Sequence, residues 1–159
     1  MPSTDHSNIP NRPPVGANVV YPELSYRIMG AVFAVHKTLG PGFLESVYRK
    51  SLVEELRRDG LRVETERPVN LTYRGRKVGQ HRLDIVVEDR VVIELKTARA
   101  FCAAHRRQLM SYLRATELKL GLLINFSGPR VVSERILNRH TNIANDSSDS
   151  QGPAHSQVP

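Results

Sequence analysis

An α/β fold is predicted by three features of this sequence. Two amphipathic helical stretches come first. A series of extended segments follows, with acidic and basic residues set among β-branched ones. A further helix then precedes a largely apolar run. With 159 residues, the chain holds one domain with tails.

The elements follow in order. Leu24, Ile28, Ala31, Val32, Val35 and Leu39 recur at helical spacing and predict a helix from Glu23 to Leu39, broken by Gly40-Pro41-Gly42. A second helix is predicted from Phe43 to Asp59, closed by Gly60. Two extended stretches, 62–66 and 69–73, flank Pro68, and Arg74-Gly75-Arg76-Lys77 reads as a turn. The runs 81–88 and 90–96 read as strands joined by a tight hairpin at Glu88-Asp89. A third helix is predicted from Ala104 to Thr116. Residues 119–126 form a buried strand, and Ser127-Gly128-Pro129 turns the chain. The pattern of 131–137 fixes neither helix nor strand. Residues 1–22, with five prolines, and the Asn/Asp/Ser/Gln-rich 140–159 are expected to be disordered, leaving a domain at 23–139.

Composition narrows the function classes. No run is long enough to span a bilayer, and the first residues lack the basic and apolar succession of a secretory signal. The single cysteine, Cys102, excludes an internal disulfide and a cysteine-based zinc site. A cytoplasmic protein is expected. Residues 23–139 carry 22 Lys/Arg against 13 Asp/Glu, a balance of +9, and 18 of the 23 basic residues in the chain are arginine. Such a domain attracts polyanions, and arginine forks fit phosphates.

The chemistry concentrates in the charged strands. Residues two apart in a strand share a face, so Glu94 and Lys96 project together. Asp84 on the partner strand would complete an Asp, Glu, Lys cluster. Converging carboxylates suit a hard cation, and an ammonium beside them can orient an attacking water or offset developing charge. Most Glu-x-Lys pairs are solvent-facing and worth little. Val86, Val87, Val91, Val92, Ile93 and Leu95 make these strands look covered on both faces, where charges are costly without a function. Arg82 shares a face with Asp84, and His81 faces the other way. Glu45 lies within roughly 20° of Leu52 and Leu56 on the helical wheel, and so points along the apolar stripe. An acid in the first helical turn is favoured by the helix dipole, which does not explain one centred on the buried face. In the third helix His105, Leu109, Tyr112 and Thr116 align, with Gln108 at the edge and Arg106, Arg107 and Arg114 elsewhere.

Gly42-Phe-Leu-Glu45-Ser-Val-Tyr48 reproduces the signature of the GxxExxY family, so the chain resembles a small member of the PD-(D/E)XK nuclease superfamily. The resemblance covers about 23–139. It includes Asp84, the Glu94-Leu95-Lys96 triplet, His105-x-x-Gln108-x-x-x-Tyr112 and the 122–126 strand. Gln108-x-x-x-Tyr112 also resembles the motif of RecB-type nuclease domains. The superfamily's proline before the aspartate is replaced by Leu83. The resemblance implies a restriction-endonuclease-like α-β-β-β-α-β core behind an extra N-terminal helix, with a mixed sheet flanked by helices. It implies a divalent metal, Mg2+ with Mn2+ as substitute, held by Asp84, Glu94, the Leu95 carbonyl and Glu45. Lys96 would act on the attacking water or the charged phosphate. Gln108 and Tyr112 would brace Lys96 or touch substrate, with His105 auxiliary. The expected function is hydrolysis of phosphodiester bonds, in DNA. The alternatives are a non-catalytic nucleic-acid-binding module on the same fold and an interaction protein with a buried structural ion-pair network. Oligomeric state is not fixed by the sequence.

Overall fold

The computed structural model describes residues 19–140. The expected tails lie outside these residues apart from 19–22 and 140. Val20 and Tyr21 already pack against the core.

The elements are α1 (Pro22–Leu39), α2 (Glu45–Arg58), β1 (Val63–Tyr73), β2 (Arg76–Val87), β3 (Val91–Lys96), α3 (Ala103–Thr116), β4 (Leu120–Asn125) and β5 (Val132–Leu137). The five strands lie in sequence order. All neighbours are antiparallel except β3 and β4, which are parallel and joined through α3. This is the expected α/β core, a mixed sheet behind an extra helix, with a fifth strand added.

The central strands follow from their composition. All six residues of β4, and five of the six of β3, are buried, as strands covered on both faces require, and they include the polar Asn125 and the acidic Glu94. On one face Ile85, Val87, Val91, Ile93 and Leu95 pack with Ile28, Val32, Tyr48, Leu52 and Leu56 of α1 and α2. On the other, Leu83, Val86, Val92 and Leu123 pack with Leu109, Tyr112 and Leu113 of α3. Gly121 permits the second packing, because a Cβ there would lie 2.8 Å from the Leu109 side chain.

The boundaries differ from expectation for physical reasons. Residues 62–66 and 69–73 belong to one strand that runs through Pro68. β1 is an edge strand, where a proline's missing N–H need not break a ladder. The break is replaced by Glu66 at φ 52°, between the pairs Thr65–Ile85 and Arg67–Leu83. α2 begins at Glu45, two residues late, because Leu44 is extended and the Phe43 N–H donates to the Tyr48 hydroxyl. Residues 132–137 pair antiparallel with β4. The Glu88-Asp89 hairpin has positive φ at both residues, the left-handed pair that matches strand twist. No helix among the described residues is long and apolar enough to cross a membrane.

Candidate active site

β2 pairs with β3 only over 85–87, so the two strands part at Asp84. Leu83 and Ile85 are two residues apart yet pack on opposite faces of the sheet. Side-chain direction therefore switches at Asp84, in the fork between the strands. There Asp84 Oδ2 accepts the Leu95 N–H at 3.3 Å. Glu94 and Lys96 project together, as their spacing predicts: Lys96 Nζ lies 3.3 Å from Glu94 Oε1, and it donates to Gln108 Oε1 of α3 at 3.4 Å.

Glu45 reaches the fork from the first residue of α2, with its side chain 36% exposed. It lies on the apolar stripe but at its open end. What aims it is the segment before it. Gly42 takes φ 104°, a conformation that suits glycine. The buried Tyr48 donates its hydroxyl to the Gly40 carbonyl at 2.6 Å, accepts the Phe43 N–H at 3.2 Å, and stacks on Phe126 at 4.6 Å. Tyr48, three residues after Glu45, thus pins the turn that presents the glutamate.

The cation touching Asp84 is Arg49, one turn along α2, and not Arg82, which is exposed. Arg49 Nη2 lies 3.2 Å from Asp84 Oδ1 and 3.3 Å from Glu45 Oε1. Sequence reasoning missed it. A wheel places Arg49 one turn beyond Glu45 but does not show that the turn overhangs the strand fork. Strand parity also placed His81 away from the site. The switch at Asp84 turns His81 towards α3, where its ring lies 5.2 Å from that of Tyr112.

The electrostatics follow from crowding. Glu94 is 6% exposed, and its carboxyl is pushed up to about 7. Burial is the main cause. The charges of Asp84 and Glu45 add to it, and Lys96 opposes it. Glu94 Oε2 is buried with no hydrogen-bond partner. Tyr112 is held above its usual value, first by burial and then by Glu94, so its phenol stays protonated. Tyr112 and Glu94 are both buried, whereas Gln108 is exposed. Among the described residues no three His, Cys, Asp or Glu side chains are gathered into a ready cation site.

Two further side chains shape the surroundings. His105 Nδ1 accepts the Cys102 N–H at 3.3 Å, closing a capping box at the start of α3, so its ring is engaged at the helix end. Asn125, opposite Lys96 in the register, donates to the Ala98 carbonyl at 2.7 Å and fixes the loop that leaves the lysine. A cavity of about 590 Å3 between α1, the end of α2, β4 and β5 contains none of the expected site residues.

Comparisons with known proteins bear on this geometry. No curated protein matches the chain. Among solved structures, the crystal structure of SSO0001 is similar at 22% identity with a TM-score of 0.46. The match covers 74% of this chain and spans 59% of that one. The family model of the PD-(D/E)XK nuclease superfamily matches residues 22–136, from the start of α1 into β5. That stretch holds the whole strand fork, α2 with Glu45 and α3 with Gln108 and Tyr112. The chain belongs to the PD-(D/E)XK nuclease superfamily.

Proposed function

We propose that this chain is a metal-dependent nuclease of the GxxExxY type that hydrolyses phosphodiester bonds in DNA and works in the cytoplasm. One observation carries the reading. Asp84, Glu94 and Lys96 meet in a strand fork, where Glu94 is buried against other carboxylates with one oxygen unpartnered. A fold seldom keeps such a group without a use for it.

The donor set fits a magnesium ion in kind: carboxylate oxygens of Asp84, Glu94 and Glu45, with the Leu95 carbonyl, are hard ligands. When bound, magnesium polarises a phosphoryl oxygen and acidifies a water. Manganese would substitute. The chain's own groups do the rest. Lys96 holds a water in line by donating to it and offsets charge developing on the phosphate. Gln108 keeps the ammonium in place through its amide oxygen, within the Gln-x-x-x-Tyr pairing of RecB-like domains. Tyr112, kept protonated, can donate to a phosphate oxygen. His105 supports this indirectly, by capping the helix that carries both residues.

A second reading has an observation of its own. Arg49 bridges Asp84 and Glu45, as in a structural ion-pair network. The two readings part on Asp84→Ala. Labelled single-stranded DNA, double-stranded DNA and RNA are incubated with magnesium or manganese. Wild type is expected to cut DNA, and Asp84→Ala to lose at least about 100-fold. If wild type cuts none of them and Asp84→Ala lowers the melting temperature of the metal-free protein, the ion-pair network replaces the nuclease.

A further inference from the structure

Arg49 pairs with Glu45 at the i, i+4 spacing common on helices, and also with Asp84 of β2, a pairing that neither helix propensity nor core packing demands. A single nitrogen, Nη2, serves both Asp84 Oδ1 and Glu45 Oε1. The side chain is 27% exposed, so it reaches the fork from the surface. Its Nε is buried without an acceptor, so the guanidinium is seated imperfectly. In the same fork Glu94 Oε2 is buried and unpartnered too. The fork therefore holds a donor and an acceptor that its own side chains leave unmatched.

We infer that Arg49 is the resident cation of the metal-free site: its guanidinium holds the place between Glu45 and Asp84 that a divalent cation takes, and it must swing out for the metal to enter. This rests on the metal-dependent reading above. Charge supports the exchange. With Glu45, Asp84 and Glu94 all ionised, as cation binding requires, three negative charges face the two positive ones of Arg49 and Lys96. Adding a divalent ion while Arg49 stays leaves an excess of one positive charge. Replacing Arg49 by the ion leaves the fork neutral.

The exchange has a thermodynamic signature. A metal that must displace Arg49 binds more weakly than one entering an empty fork, by the factor that the arginine ion pairs contribute. Magnesium binding is measured by titration calorimetry on wild type, Arg49→Met and Arg49→Lys. In parallel, the Arg49 Nε–Hε resonance of wild type is followed through a magnesium titration. Two partly exposed ion pairs correspond to about a tenfold gain in affinity for Arg49→Met. Arg49→Lys is expected to stay near wild type, because it keeps the competing charge. The Arg49 resonance is expected to move with the same midpoint as the calorimetric isotherm. If Arg49→Met binds magnesium no more tightly than wild type, Arg49 is a fixed strut. An Arg49 resonance that stays put at saturating metal makes it a strut as well. Wild-type binding would in both cases leave the metal-dependent reading intact. If neither protein takes up magnesium, both the exchange and the metal site fall. Should Arg49→Met fail to fold, the wild-type resonance decides alone.

Discussion

Glu94 bears the electrostatic cost of its neighbourhood. Its carboxyl, usually near 4.5, is pushed up to about 7 by burial and by Asp84 and Glu45. A group whose value is raised on folding favours the fold when protonated. Its contribution is therefore full below about 4.5 and is lost as the pH rises through about 7. A shift of that size corresponds to roughly 3 kcal/mol. Glu94→Gln removes the titration. Melted in chelator, Glu94→Gln is expected to gain stability relative to wild type between pH 5 and pH 8. A difference that stays constant over that range would mean that the carboxylate is not strained. Tyr48 is the other residue whose role is read directly. Its hydroxyl satisfies the Gly40 carbonyl and the Phe43 N–H, and Tyr48→Phe leaves both without it. A loss of about 1–3 kcal/mol is expected in chemical denaturation, with the stacked ring retained. An unchanged midpoint would show that water replaces the hydroxyl at no cost.

Among the elements, α3 and β4 approach each other tightly at Gly121. Gly121→Ala would put a methyl 2.8 Å from the fully buried Leu109, with little space for the leucine to move into. A loss of about 1–3 kcal/mol is expected, and α3 should be pushed outward with Gln108 and Tyr112 on it. Hydrogen exchange across 103–116 would register the displacement, and unaltered protection there would contradict it. The sequence disclosed this layer well. β3 was legible from its β-branched Val91, Val92 and Ile93, and β4 from the short apolar run Leu120–Ile124, both patterns that suit strands covered on both faces. The Glu88-Asp89 turn was legible from its position between two such runs. β5 was not, because an edge strand leaves Val132, Arg135 and Leu137 at least partly exposed and shows no clear apolar alternation. The change of side-chain direction at Asp84 was hidden too. It arises where β2 leaves β3, and strand parity assumes that a strand continues undistorted. Of the candidate site, Glu94, Lys96 and Asp84 were picked out by charges set in strands that look covered on both faces, and Glu45 by its place on the apolar stripe of its helix. Arg49 and the ring of His81 could not, since both depend on how an element ends against a fork. His105 was visible on the right helix face, but its hydrogen bond to the Cys102 backbone only emerges with the cap.

Across the whole molecule the positive excess is not uniformly available. Arg106 is tied to Glu134 by two bonds of 2.6 Å, and Arg27 and Arg67 are paired with Asp59 and Asp89. The cations at the tip of the β1–β2 ribbon differ. Between that tip and residue 85, β2 pairs with β1 alone, and the turn carries exposed Arg74, Arg76 and Lys77, with Arg74 over the Tyr73 ring. If a nucleic acid held at the fork also lies along this arm, the two regions should fail in opposite ways. Replacing Arg74, Arg76 and Lys77 with glutamine frees up to three phosphates. The slope of log affinity against log salt should fall by about 0.9 for each phosphate freed on duplex DNA, with cleavage at saturating substrate kept. Lys96→Ala removes one partly buried charge beside Glu94, so affinity should change little. Cleavage should fall by roughly 100-fold or more if the ammonium, in its proposed role, acts on the water and the charged phosphate rather than on the bound strand. Affinity is measured by gel shift in chelator across a salt series, and cleavage on the same labelled DNA in magnesium. Equal loss of affinity in both variants would place Lys96 among the binding residues and favour a module that holds nucleic acid without cutting it. Loss of cleavage confined to Lys96→Ala, with the salt slope altered only in the ribbon variant, is the outcome that a nuclease with a separate gripping arm requires.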